Sequence, residues 1–188
     1  MKALLLLALL ARPACADENF LEDLSRSSFQ YFWEYAHPKT GLVLDRARAD
    51  GSGPDKEHAH VASAATTGFG LTALCIGAER GWVKRAAAKK RALKTLRFLD
   101  RKAPREHGWF YHWMDDRNGR RVWNSELSSI DTALLLAGVL SVKGCFGDKD
   151  LARLADSIYG AVDFPWMLAG HEGLLSMGWY PEKGFIAS

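Results

Sequence analysis

Two stretches of the chain are apolar on nearly every side, and they limit its possible folds more than any other feature. Residues 62–80 include Ala64, Gly68, Phe69, Gly70, Leu71, Leu74, Cys75 and Ile76; residues 128–146 include Ile130, Ala133, Leu134, Leu135, Leu136, Val139 and Leu140. Helices without a polar face must be covered on several sides. Three other helical stretches are two-faced. Residues 17–35 place Phe20, Leu21, Leu24, Phe29, Phe32 and Trp33 at spacings of three and four, with acidic residues crowding the first turns. Residues 84–102 set Leu93, Leu96, Phe98 and Leu99 against nine lysines and arginines, read as a solvated outer face rather than a nucleic-acid patch. Residues 149–162 are amphipathic as well. The order is outer, inner, outer, inner, outer, as a double-layered helical ring requires.

Longer loops precede each inner helix. Residues 37–61 begin at His37-Pro38, which ends the first helix, and continue through the turn Lys39-Thr40-Gly41. Residues 109–123 alternate aromatics and predict a hairpin around Asp116-Arg117-Asn118-Gly119. A second hairpin is predicted where residues 174–179 and 184–186 flank Tyr180-Pro181-Glu182-Lys183. Gly81 is the expected cap of the first inner helix. All these loops would open at one end of the ring, the end expected to carry a site.

With 48% hydrophobic residues the 188-residue chain can build a core and is not expected to be disordered. Residues 1–16 read as a secretory signal: Lys2, an apolar run over 3–11, then Ala14-Cys15-Ala16 before Asp17. That predicts a periplasmic or secreted protein whose mature domain spans 17–188. Losing Lys2 and Arg12 takes two from 25 basic residues against 22 acidic ones and lowers the net charge from +3 to +1. Such a balance draws the chain to neither nucleic acid nor an anionic membrane. The remaining cysteines, Cys75 and Cys145, read as packed thiols, and an oxidising compartment would allow them to pair if they approach. No Cys/His spacing suits zinc, so neither a metal nor another cofactor is expected. Oligomeric state is not legible.

The run from Trp123 through Asn124, Ser125, Glu126, Ser128 and Asp131 to Leu135 resembles the signature of the glucoamylase-like domain family, which includes endo-β-1,2-glucanases and a central region of cyclic β-1,2-glucan synthases. Residues 29–33, 67–82, 108–112 and 175–179 resemble further blocks of that family in order. The resemblance implies an all-α (α/α)6 barrel with short β-hairpins in its loops, and glycoside hydrolysis of a β-glucan, with an oligo- or polysaccharide as partner. It implies twelve helices where five are counted, so the chain would be the N-terminal portion of such a domain. The further glutamate-bearing segment of the family pattern is absent. A catalytically inactive remnant, or a glycan-binding fragment, is the alternative.

Glycoside hydrolysis usually takes two carboxyl groups. Asp131, in the first turn of an inner helix, suits a base or a sugar-hydroxyl acceptor; it reads equally well as the capping-box partner of Ser128. Glu126, beside Trp123 and just ahead of that helix, suits an acid, or else is an exposed loop charge. Asp45 with Arg46 would sit at the same rim, binding sugar or forming an ion pair. Trp109, Tyr111, Trp113, Trp123 and Trp179 offer faces for sugar rings, and His60, His112, Asn124 and Ser125 offer polar contacts. Core packing competes with binding for each aromatic. Asp115 and Asp116 read as turn residues.

Overall fold

The computed structural model describes residues 14–186; the expected leader lies outside the described residues except for 14–16, which open the first helix. The helices are α1 (Ala14–Glu34), α2 (Ala64–Glu79), α3 (Arg85–Arg101), α4 (Ser129–Phe146), α5 (Lys149–Gly160) and the single turn α6 (Phe164–Met167). The strands are short: β1 (Val61–Ser63), β2 (Arg105–Glu106), β3 (Trp109–Phe110), β4 (Trp113–Asp115), β5 (Leu127–Ser128), β6 (Gly178–Tyr180) and β7 (Gly184–Phe185). The five long helices stand where periodicity predicts them; α6 carries too few residues to show a period.

α2 and α4 form the central contact, with α3 and α5 packed on each other behind them and α1 against α2. The central pair can approach closely because glycines meet there. A Cβ on Gly68 would stand 2.3 Å from the Leu134 carbonyl oxygen, and one on Gly138 would stand 2.1 Å from that of Gly68. Leu71, Leu96, Leu99, Leu135, Val139, Leu151, Leu154 and Ile158 fill the space between the layers at 2% exposure or less. Each such side chain contributes about 1.5–3 kcal/mol of hydrophobic stabilisation. α1 is held at the edge by Phe29 against Gly77 and by the Arg91 guanidinium over the Trp33 ring at 3.5 Å.

The inner helices are covered on several sides, as expected, but not on all. Phe69 and Ile76 on α2, and Ile130, Ala133, Ala137 and Leu140 on α4, leave one stripe of each helix exposed. On length and composition α4 could also cross a membrane, with a mean hydropathy of 1.5, but its other faces pack against α2 and α5.

The strands link the loops at the N-terminal ends of α2 and α4. β1 pairs antiparallel with β4, with Val61 opposite Asp115 and Ser63 opposite Trp113. β2 pairs with β3, and β5-β6-β7 form a three-stranded antiparallel sheet. The hairpin expected within residues 109–123 is reduced to a bridge between Met114 and Arg121; the main partner of β4 is β1, fifty residues earlier in the chain. The hairpin around residues 180–183 forms as expected, as β6 and β7. Gly81, at φ +73°, follows the end of α2.

Candidate functional site

The backbone of His112 ties together the segments that lead into both central helices. Its carbonyl accepts from the Ala64 N–H at 3.0 Å, in the first turn of α2. Its own N–H donates to the Glu126 carbonyl at 2.9 Å, three residues before α4. Ser128 caps α4: its hydroxyl accepts from the Asp131 N–H at 3.1 Å and donates to the Asp131 carboxylate at 2.5 Å. Ser128 is therefore the N-cap, but the Asp131 carboxylate takes its hydroxyl rather than its backbone N–H, so only half of the expected capping box forms, and it does not compete with a functional role. The cap consumes one carboxylate oxygen, and the other faces the His112 ring.

The His112 imidazole lies between the two carboxylates. Its Nδ1 is 2.9 Å from Glu126 Oε1, and its Nε2 is 3.6 Å from Asp131 Oδ1. The three side chains are 14–25% exposed, reachable from solvent yet largely enclosed. One face of the ring stacks on the Trp113 indole at 3.7 Å and 15°. The far end of that indole donates from Nε1 to Asp45 Oδ1 at 3.3 Å, while Arg46 Nε donates to the other Asp45 oxygen at 2.7 Å. Asp45, Trp113, His112, Glu126 and Asp131 thus form one continuous wall. Trp113 is among the aromatics the sequence offers, but its bond to Asp45, 68 residues away, is not legible there.

The turn after this wall is strained. Trp123 and Asn124 both adopt left-handed backbone, at φ +54° and +50°. For a bulky residue this conformation is an outlier, costing on the order of 1–3 kcal/mol. Arg121 holds the turn: its guanidinium donates to the carbonyls of Asn124 and Ser125 and grips Glu182, 2.6 Å away in the β6–β7 turn. Hydrogen bonding from Arg121 holds the Glu182 carboxyl below its ordinary range. The turn leaves Trp123 42% exposed, its ring set edge-on to Trp113 at 5.3 Å. Sequence reasoning missed Arg121, since nothing local marks a cation whose partner is 61 residues distant.

Several expected sugar-binding residues are turned inward. Trp109 is 1% exposed, and its indole N–H donates to the Asp163 carbonyl, so no ring face remains for a ligand. Tyr111 is buried, with burial raising its pKa and the Arg121 guanidinium over its ring. The Ser125 hydroxyl is buried and exchanges hydrogen bonds with the Trp113 backbone. Trp179 packs against Trp166 and stands half-buried in β6, away from the carboxylates. Asn124 is exposed beside Trp123. Asp115 and Asp116 occupy the expected turn; Asp115 pairs with Arg117, whose hydrogen bonds lower its pKa, and buried Asp116 faces His60.

His112, Glu126 and Asp131 present ligand atoms within 4.8 Å of one another, the one such group among the described residues. A cavity of about 470 Å³ lies elsewhere, between α1, α2 and α3, lined by Phe32, Trp33, Arg91 and Lys94. Its cations already donate to the Trp33 and Pro38 carbonyls, and the acid/base groups lie outside it, so the open wall at the helix N-termini is the better candidate.

Among solved structures, the endo-β-1,2-glucanase of Chitinophaga pinensis, in complex with sophorotriose and glucose, matches with a TM-score of 0.78 at 29% identity, over 91% of this chain and 42% of the glucanase. The chain is similar to the glucoamylase-like β-1,2-glucan hydrolases. A β-1,2-glucanase from Parabacteroides distasonis matches with a TM-score of 0.74 at 26% identity, over 89% of this chain and 24% of that one. A curated relative from the same organism, an exo β-1,2-glucooligosaccharide sophorohydrolase acting at the non-reducing end, is 28% identical over 181 residues, 90% of this chain and 24% of the relative. The chain thus spans a quarter to under half the length of these glucoamylase-like relatives. No protein-family model matches it.

Proposed function

We propose that this chain forms part of an exported glycoside hydrolase of the glucoamylase-like type, acting on β-1,2-linked glucan, and that its two helical layers belong to an (α/α)6 toroid. The observation that carries the reading is the wall of Asp45, Trp113, His112, Glu126 and Asp131 at the N-termini of two adjacent inner helices. Trp123 and Trp113 offer aromatic surface for sugar rings, and Asp45, Asn124 and Asp131 offer polar atoms for hydroxyls.

The spacing refines the expected chemistry. Inverting enzymes hold their carboxyl groups roughly 6.5–9.5 Å apart to admit a water. Glu126 and Asp131 offer oxygens within 4.8 Å of each other, and the His112 ring touches both. The pair therefore serves as one unit. In this reading Glu126 gives a proton to the glycosidic oxygen, and Asp131 orients His112 and accepts a sugar hydroxyl. The second reacting carboxylate comes from across the cleft.

The same spacing favours a second reading, a fragment that binds glycan without cleaving it. Reducing-sugar release from linear β-1,2-glucan separates the two. Hydrolysis predicts release that falls at least about 100-fold in Glu126→Gln. Binding without release, measured by titration with β-1,2-oligosaccharides, leaves only the second reading. Neither release nor binding would sink both.

A further inference from the structure

We propose that Cys75 and Cys145 are an oxidisable pair that closes into a disulfide, pinning α2 to α4 at the ends remote from the carboxylate wall. The inference is independent of the proposed function. Both thiols are free. Two turns along the α2–α4 contact from the Gly68–Gly138 approach, Cys75 Sγ donates to the Ser141 carbonyl at 3.8 Å. Cys145 follows Ser141 by four residues, so its side chain lies on the same face of α4, one turn further. Residues 75 and 145 each lie seven residues beyond the glycines that meet, Gly68 and Gly138, so the shared direction of the two helices brings them level with each other. Two sulfurs on tightly packed helices need only side-chain rotation to meet, whereas distant cysteines would need backbone movement.

The surroundings set the order of events. Burial raises the Cys75 pKa, and Arg85 beside it lowers it in part. Cys145 is the half-exposed partner, at the end of its helix. The oxidant is a small-molecule disulfide. The Cys145 thiol loses its proton and attacks one sulfur of that disulfide, releasing one small thiol and leaving a mixed disulfide on Cys145. The Cys75 thiol then loses its proton and attacks Cys145 Sγ, displacing the second small thiol. Two protein S–H bonds and one S–S bond are exchanged for one protein S–S bond and two small thiols.

The test is intact mass after treating the folded chain with oxidised glutathione, with Cys15→Ser in every sample so that residues 75 and 145 carry its only two thiols. The expected result is a loss of about 2 Da, no titratable thiol, and a cross-linked peptide joining residues 75 and 145, all reversed by dithiothreitol. Cys75→Ser should instead stop at the mixed disulfide and gain one glutathione on Cys145. A persistent glutathione adduct on the chain that keeps both thiols, two free thiols after oxidation, or a disulfide-linked dimer would each overturn the proposal. The mass of that chain is decisive even if Cys75→Ser fails to fold.

Discussion

The His112 ring touches Glu126 and Asp131 together, and its own orientation comes from backbone bonds to both central helices and from the Trp113 ring. Removing it should loosen Glu126. His112→Ala is expected to lower any hydrolysis at least about tenfold through kcat, with KM changing less, because the ring orients Glu126. Equal loss in kcat and KM with a lower melting temperature would mean that it only supports the fold. Trp123 makes a different prediction. Its exposed ring packs only edge-on, so Trp123→Ala should weaken oligosaccharide binding roughly 2- to 10-fold, read by titration calorimetry, and also relieve the left-handed strain at that position. Tyr31 predicts a pH effect. Its hydroxyl donates to the Leu44 carbonyl, and burial, then the charge of Asp45, raises its pKa from 10.0 to about 12. The unfolded chain loses that proton first, so stability should fall as pH rises from about 10 towards 12. Tyr31→Phe should flatten that slope in denaturant titrations.

Among the elements, the α2–α4 pair is the most sensitive to substitution. Gly68 and Gly138 let two backbones meet where any Cβ would overlap a carbonyl. Gly138→Ala should cost roughly 1–3 kcal/mol, a drop of about 2–4 °C in Tm for each kcal/mol. An unchanged Tm would show that the helices can separate freely, and the common origin of the site at both N-termini would lose its rigid basis. The Ser128 cap belongs to the same scale. Ser128→Ala removes an acceptor from the Asp131 N–H and a donor to its carboxylate, with an expected cost of about 1 kcal/mol.

For the molecule as a whole, the exposed stripes of α2 and α4 matter most. Phe69 is 52% exposed and Ile130 51%, on helices whose other faces build the core. An apolar stripe of this kind marks a surface that another element can cover. In the chain as described, Phe69→Ser with Ile130→Ser should leave stability within about 0.5 kcal/mol, since neither residue is packed. A Tm loss of several degrees would mean that the stripe is covered in solution. The relatives are more than twice as long as this chain, and the Chitinophaga glucanase shares its fold over 42% of its own length.

The helices α1 to α5 were legible because α1, α3 and α5 repeat apolar positions locally, α2 and α4 are nearly continuous apolar runs, and two of them end at readable signals, His37-Pro38 and Gly81. The cap of Ser128 on Asp131 was equally legible, being a contact over three residues. The loops were not. Trp109, Tyr111 and Trp113 alternate as though on one face, yet Trp109 and Tyr111 are buried and Trp113 joins the site wall. The chain changes sheets between them, pairing first with β2 and then with β1. A side chain's direction in so short a strand depends on its partner strand, and that partner is chosen by tertiary packing. For the same reason the sequence alone could nominate Glu126 and Asp131 but not seat His112 between them. Local spacing determined the helices, and only the close approach of α2 and α4 decided which loop residues meet at their common end.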